Sequence, residues 1–365
     1  MTLNGKGFYL WQIWNCEGGD ADRIAELAAD AGLSHVMIKV ADGTWIYNYD
    51  REEHYDMVPP VARALRARGI QVWGWQYVYG ENPVGEARKA VQRVKELELD
   101  GFVADVEKEF KADGMKKVAR TYMQELREGL PDLPVALSTY RYPNLHPQIP
   151  YSELLTYCDI NMPQVYWMGS HNPDAQLMKS MQQYDAISPV RPMVPTGFAF
   201  KESGYRPEPG ENTLFMKTAQ EQRLTAANFW SWDSCRRYLP SIWEEIKNYP
   251  WSSDPLPKDI TQQYIDALNS GDATTVEGLY ATEGVHVNAE RTVQGPDAIR
   301  GWYRSLLSET LPGGTFTLTG LGGTGSRRYM TWSAVSSAGE VKNGNDTLGL
   351  LDGKIAYHYT FFTVN

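Results

Sequence analysis

Over its first 250 residues this sequence alternates short apolar runs with segments of helical period eight times, and that repeat constrains the fold more than any single motif. Strand-like runs span Gly7–Asn15, His35–Ala41, Gly69–Tyr79, Gly101–Glu107, Pro134–Tyr140, Asp159–Trp167, Met193–Phe198 and Ala227–Trp232. Helical segments separate them, among them Asp20–Ala31, Pro59–Arg68, Gly85–Glu98 and Gly114–Gly129. In the third of these, Ala87, Ala90, Val91, Val94 and Leu97 recur at the spacing of one helix face. Strands that alternate with helices pair in parallel, since each crossover returns the chain to the same end of the sheet. Eight units in about 250 residues is the usual size of a closed (β/α)8 TIM barrel. The alternative, an open doubly wound sheet, is disfavoured because the first strand-to-helix turn, Asn15–Asp20, has no Gly-x-Gly-x-x-Gly phosphate loop.

Residues 251–258 lie in a Pro- and Ser-rich run, Tyr249–Lys258, that reads as a linker between a barrel over residues 1–250 and a second domain over 259–365. There the pattern changes to helices over Asp259–Asn269, Thr274–Leu279 and Pro296–Leu307. Alternating strands follow over Thr315–Gly320, Arg327–Ser336, Gly339–Leu350 and Lys354–Thr363. Helices followed by an antiparallel meander make an α+β, cone-shaped domain, so the fold class is α/β barrel plus α+β cone.

A formal net charge of −10 disfavours nucleic acid and anionic membrane as partners, because both are bound by clustered Lys and Arg. No apolar run approaches the roughly 18 residues of a membrane span, and Phe8-Tyr9-Leu10-Trp11 near the start reads as a strand and not a leader; a soluble, cytoplasmic protein is expected. Cys16, Cys158 and Cys235 lack metal-site spacing and read as buried thiols, and no His-Glu-x-x-His pattern occurs, so neither a metal nor a cofactor is expected. The 12 Trp and 22 Tyr suit either core packing or sugar-stacking platforms at a barrel mouth. Trp45, Trp75, Tyr77 and Tyr79 are candidates for such a rim.

The stretch Asp100-Gly101-Phe102-Val103-Ala104-Asp105-Val106-Glu107 carries the chemistry. Side chains alternate along a strand, so Phe102, Ala104 and Val106 face the helices while Val103, Asp105 and Glu107 face the barrel axis. Both carboxylates then sit near the C-terminal end of the strand, where barrel active sites lie. Buried carboxylates cost several kcal/mol each unless paired, hydrogen-bonded or protonated, and like charges two residues apart push one pKa up, which suits a general acid. The bland alternative is an inward salt bridge, with Lys39 on the second strand as the partner.

Asp100–Glu107 resembles the fourth-strand signature of family 18 chitinases, Asp-Gly-x-Asp-x-Asp-x-Glu, and is similar to the Asp-x-Glu strand of family 25 lysozymes. Val36–Thr44 and Gly69–Tyr77 resemble the second and third strands of those lysozymes. Met162-Pro163-Gln164-Val165-Tyr166-Trp167 is similar to the Gln-x-Tyr motif of plant-type family 18 enzymes, and Trp230-Ser231-Trp232-Asp233 resembles the Trp that floors their sugar subsite. The resemblance implies Glu107 as general acid, with Asp105 and Tyr166 orienting the substrate's 2-acetamido group. It further implies Gln164, Trp230, Asp233, Lys39, Trp75 and Tyr77 as carbohydrate-binding residues, on a chitin- or peptidoglycan-like glycan. Val103 stands where the chitinase signature has Asp, the first strand lacks the Asp that opens the lysozymes, and Asp42 stands where they have Glu. A barrel that binds glycan without cleaving it is therefore a second expectation.

In the C-terminal segment, Tyr264–Asp272, Leu279-Tyr280-Ala281 and Gly295–Tyr303 resemble the SnoaL-like branch of the nuclear transport factor two-like superfamily. His286, Asn288, Trp302, Asp346 and His358 are expected around the cone interior, with Trp302 and His358 as its candidate pocket. Tyr329, Met330, Trp332, Tyr357, Tyr359, Phe361 and Phe362 exceed what one small cone holds, so some should face outward and support association, as a homodimer or by docking of the barrel.

Overall fold

The computed structural model describes residues 3–252, 258–323 and 326–365, in two compact units, Met1–Leu256 and Pro257–Asn365. Most of the expected linker, residues 253–257, lies outside the described residues.

The first unit is a closed barrel of eight parallel strands: β1 (Gly5–Leu10), β2 (Leu33–Asp42), β3 (Gln71–Val78), β4 (Gly101–Val106), β5 (Val135–Tyr140), β6 (Ile160–Gln164), β7 (Thr196–Phe198) and β8 (Ala226–Trp230). Each strand pairs with the next, and β1 pairs with both β2 and β8, which closes the ring. Around it run α1 (Ala21–Asp30), α2 (Val58–Arg66), α3 (Pro83–Leu97), α4 (Met115–Gly129), α5 (Tyr151–Leu155), α6 (Pro173–Asp185), α7 (Glu211–Glu221), α8 (Trp232–Tyr238) and α9 (Pro240–Asn248).

The period-two alternation sorts the strand residues into two cores. Phe8, Leu10, Val36, Ile38, Phe102, Ala104 and Val106 pack outward against the helices, while Tyr9, Met37, Trp73, Trp75, Val103, Ala136 and Met162 fill the interior. At the β1–β2 contact a Cβ on Gly7 would lie 2.1 Å from the His35 Nε2, so only glycine fits beside that buried imidazole. His35 is held by Asn228 Oδ1 at 2.6 Å and Ser34 Oγ at 2.8 Å. Lys6 fastens the last helix to β1 by donating from Nζ to the carbonyls of Ile246, Lys247 and Tyr249, where the helix dipole favours a cation.

Several strands are shorter than their apolar runs, and at β1, β6 and β7 the contacts that set the limit are visible. β1 ends at Leu10 because buried Asn48 accepts from Ile13 N at 2.8 Å and donates to Trp11 O at 3.1 Å, turning the chain away from the sheet. β6 ends at Gln164, since Val165 N is shared between Pro163 O and Thr196 O. β7 begins only at Thr196, after a single bridge between Met193 and Asn161. Among the described residues no helix is long and apolar enough to cross a membrane.

In the second unit, helices α10 (Ile260–Asn269), α11 (Ala273–Glu277) and α12 (Pro296–Ser305) cover one face of a six-stranded sheet. Its strands are β9 (Tyr280–Val287), β10 (Thr292–Gln294), β11 (Thr315–Gly322), β12 (Arg327–Ser336), β13 (Gly339–Leu351) and β14 (Lys354–Phe361), in the order β10-β9-β14-β13-β12-β11. The β11–β14 meander is antiparallel, as its alternation indicates. β9 and β10 add two strands that the sequence pattern does not display, and β9 pairs with β14 in parallel. A register shift between Tyr280 and Val285 breaks the alternation of β9 and hides it. Tyr264, Ile265, Leu268, Ile299, Trp302, Tyr303, Met330, Trp332 and Leu348 form the core.

Candidate active site

A cavity of about 470 Å³ opens where the barrel strands end. Its walls include Asp105 and Glu107 from β4, Ser138, Tyr140 and Arg141 from β5 and its loop, Gln164 and Tyr166 from β6 and its loop, and Trp230 from β8. The strand ends thus bring Glu107, Asp105, Tyr166, Gln164 and Trp230 together, although Glu107 and Tyr166 lie just beyond their strands. Trp230 is backed edge-on by Trp75, with ring centres 5.3 Å apart, and flanked by Tyr9 at 5.7 Å.

The Gln164 amide organises the carboxylates. Its Nε2 donates to Glu107 Oε1 at 2.8 Å and to Asp105 Oδ1 at 3.0 Å, with Ser138 Oγ a third neighbour at 3.4 Å. Glu107 Oε2 makes no hydrogen bond among the described residues. Burial, reinforced by the Glu107 charge, holds the Asp105 carboxyl well above its usual range; hydrogen bonds from Ser138 and Gln164 and the Lys39 charge offset only part of this. Burial raises Glu107 too, against the Gln164 hydrogen bond and the charges of Lys108 and Lys111. Carboxyls whose pKa is raised in this way are suited to giving up a proton in a reaction.

Four of the other sequence candidates surround this cavity without lining it. Lys39 is buried and pairs with Asp42 at 3.0 Å, its Nζ lying over the rings of Tyr47 and Trp75, so the inward salt bridge to the carboxylate pair does not form. Trp75 donates from its indole nitrogen to Leu10 O at 3.1 Å. Tyr77 stands in register with Asp105 but donates to Glu109 Oε2 at 2.8 Å. Asp233, in the first turn of α8, accepts from Ser231 Oγ at 2.7 Å. Of the further rim candidates, Trp45 is exposed and Tyr79 donates to Asp42.

Sequence reasoning passed over Ser138, Tyr140, Thr196, Tyr9, Arg141 and His146, all of which line the cavity. Ser138 and Tyr140 stand two apart at the end of β5, so the alternation argument that found Asp105 applies to them as well. Arg141 and His146 sit on the loop after β5, where no periodicity marks them.

In the second unit His358, His286 and Asp346 are fully buried. Asp346 accepts from Trp332 Nε1 at 2.9 Å and from Thr360 Oγ1, and meets His358 Nε2 at 2.9 Å. The other His358 nitrogen meets the Tyr280 hydroxyl, which also contacts Tyr303 and His286. Burial, with the neighbouring His358, depresses the His286 pKa to about 2. Trp302 lines a separate cavity of about 280 Å³ with Arg291, Thr360 and Phe362, and Asn288 caps its loop by accepting from Glu290 N and Arg291 N. Among the described residues no group of three or more His, Cys, Asp or Glu is placed to hold a metal ion.

Residues 261–358 match the model of the SnoaL-like domain. A comparison with curated proteins returns no match. Among solved structures the chain is similar to a protein of the SnoaL-like family from Agrobacterium tumefaciens, at 24% identity over 28% of this chain and 94% of that one, with a TM-score of 0.26. It is also similar to a protein with a ketosteroid isomerase-like fold from Catenulispora acidiphila, at 15% identity over 30% and 88% of the two chains, TM-score 0.27. A third likeness is to an NTF2-like protein from Cytophaga hutchinsonii, at 10% identity over 29% and 88%, TM-score 0.25. The chain is thus a closed eight-stranded parallel barrel followed by a SnoaL-like domain.

Proposed function

We propose that the barrel is a glycoside hydrolase acting on a glycan that contains N-acetylhexosamine. The observation that carries this reading is the Asp105–Glu107 pair, bridged by the Gln164 amide at one wall of an aromatic-lined cavity, with both carboxyls biased toward the acid form. Glu107, with Oε2 unbonded, protonates the leaving oxygen. Two carboxyls at i and i+2, at the end of one strand and just beyond it, do not straddle a glycosidic bond, so the pair does not suit an ordinary acid and nucleophile. The substrate's own 2-acetamido oxygen supplies the nucleophile instead. Asp105 and Tyr166 orient that group, and Trp230 offers its ring to the apolar face of a pyranose.

Substrate assistance has a direct test. N-acetylglucosamine oligomers should be cleaved with retention of anomeric configuration, whereas the same oligomers after deacetylation should resist. Equal cleavage of both would refute participation of the acetamido group.

The second reading, a barrel that binds glycan without hydrolysis, is favoured by the Gln164 contact itself, which ties one oxygen of each carboxyl into a closed network. For the SnoaL-like domain we propose that it pairs two copies of the chain. Support comes from Tyr329, Tyr357, Tyr359 and Phe361, which are exposed on the sheet face opposite the helices, with Tyr329 and Tyr359 both in register with Thr347.

A further inference from the structure

Arg141 is the unpaired cation of the cavity wall. It follows the last residue of β5 and lines the same cavity as Asp105 and Glu107. Its Nη1 is shut off from solvent and has no hydrogen-bond partner among the described residues. The side chain is held over the Tyr142 ring, 5.0 Å from its centre, so its direction is set before any ligand arrives. Burial lowers its pKa from the usual arginine value, and the neighbouring Tyr142 offsets only part of this. A second cation lies nearby: Lys111 sits over the Tyr140 ring at 4.2 Å, and burial together with its charge lowers the pKa of His146, which lines the cavity as a hydrogen-bonding imidazole.

A partly buried guanidinium without an anion is destabilising, and folds normally satisfy such a group with a carboxylate or phosphate. In a chain of net charge −10 with 45 acidic residues, an arginine that faces a cavity without an acidic neighbour can take an acid that comes from outside. The planar fork of arginine matches a carboxylate through two parallel hydrogen bonds. Asp105, Glu107 and Glu202 face an anionic ligand across the cavity; the acid form favoured at Asp105 and Glu107 reduces the repulsion from two of them, and Glu202 opposes it.

We propose that Arg141 is a specificity residue that selects glycans bearing a carboxylate, in preference to neutral N-acetylglucosamine polymers. This rests on the glycan-binding reading of the barrel and narrows it. Two chemical sources of a sugar carboxylate beside an N-acetylhexosamine are compared: a lactyl ether on the amino sugar, and a neighbouring uronic acid.

The test is calorimetric binding to the full chain carrying Glu107→Gln, so that cleavage does not consume the ligand. Three tetrasaccharides are compared: neutral N-acetylglucosamine, the alternating lactyl-ether form, and the form alternating with glucuronate. The expected result is tighter binding of one carboxylated oligomer over the neutral one by roughly ten- to hundredfold, the worth of one charge-assisted pair. The preferred oligomer identifies the source. Adding Arg141→Gln should bring that ratio to about one, and Arg141→Lys should leave an intermediate ratio because it keeps the charge and loses the fork. Equal binding of all three, or a ratio unchanged in both Arg141 variants, would overturn the proposal and leave the glycan reading standing. Binding of none would overturn both.

Discussion

Replacing Asp105 by asparagine should stabilise the barrel, and the gain should grow with pH. Burial and the Glu107 charge hold this carboxyl well above its usual value of 3.8. Between those two values the folded chain keeps a proton that the unfolded chain has released, so stability falls as pH rises. For one group the slope is at most about 1.4 kcal/mol per pH unit. Asparagine keeps the oxygen that accepts from Gln164 and has no proton to lose. The stability difference between variant and parent should therefore open near the usual carboxylate value, widen with pH, and level off once the carboxyl ionises in the folded parent. The parent curve alone does not reveal this, because buried His35 acts in the opposite sense over part of the same range. Urea unfolding followed by fluorescence of the buried barrel tryptophans, at a series of pH values for both proteins, supplies the difference. A difference that does not change with pH, or a variant less stable than its parent at neutral pH, would refute the argument that burial keeps Asp105 protonated.

Burial pulls His35 from 6.5 to about 4, so its stabilising contribution is complete above the first value and lost as pH falls through the second, about 3 kcal/mol in all; His35→Gln should remove that acid-side slope in the same unfolding series. In the SnoaL-like domain, Asp346→Ala leaves His358, Trp332 and Thr360 without their shared acceptor and should cost about 3–5 kcal/mol, read as a lowered melting transition. Tyr359→Lys places a charge at the centre of the exposed sheet face and should turn a dimer into a monomer by light scattering; a full-length parent that is already monomeric would count against pairing through this face.

Much of the barrel was legible because a parallel barrel writes its two faces into alternate residues. Phe102, Ala104 and Val106 against Val103 and Asp105 is a pattern that only one orientation of β4 satisfies. The cone meander was legible for the same reason, and β9 was not, because its register shift interrupts the alternation. Strand ends were poorly legible. The end of β1 depends on Asn48, which reaches back from a loop far along the chain, and no local propensity signals such a contact. In the site, the inward carboxylates followed from spacing. The Gln164 bridge did not, since it depends on how β4 and β6 lean across the barrel, and β5 stands between them. Lys39 illustrates the opposite failure: from sequence it could serve Asp105, but Asp42, three residues on, is the nearer acid and takes it.

Glu107 is assigned here as the donor of a proton to a glycosidic oxygen. The most direct measurement is turnover of N-acetylglucosamine oligomers and of peptidoglycan strands by the full chain and by Glu107→Gln, with binding of the same ligands measured in parallel. The parent should cleave at least one of them, and Glu107→Gln should bind it but lose at least about 100-fold in turnover, the lower end of what a positioned general acid contributes at about 10²–10⁴-fold. Equal turnover by both proteins, or binding by both with cleavage by neither, would contradict this assignment.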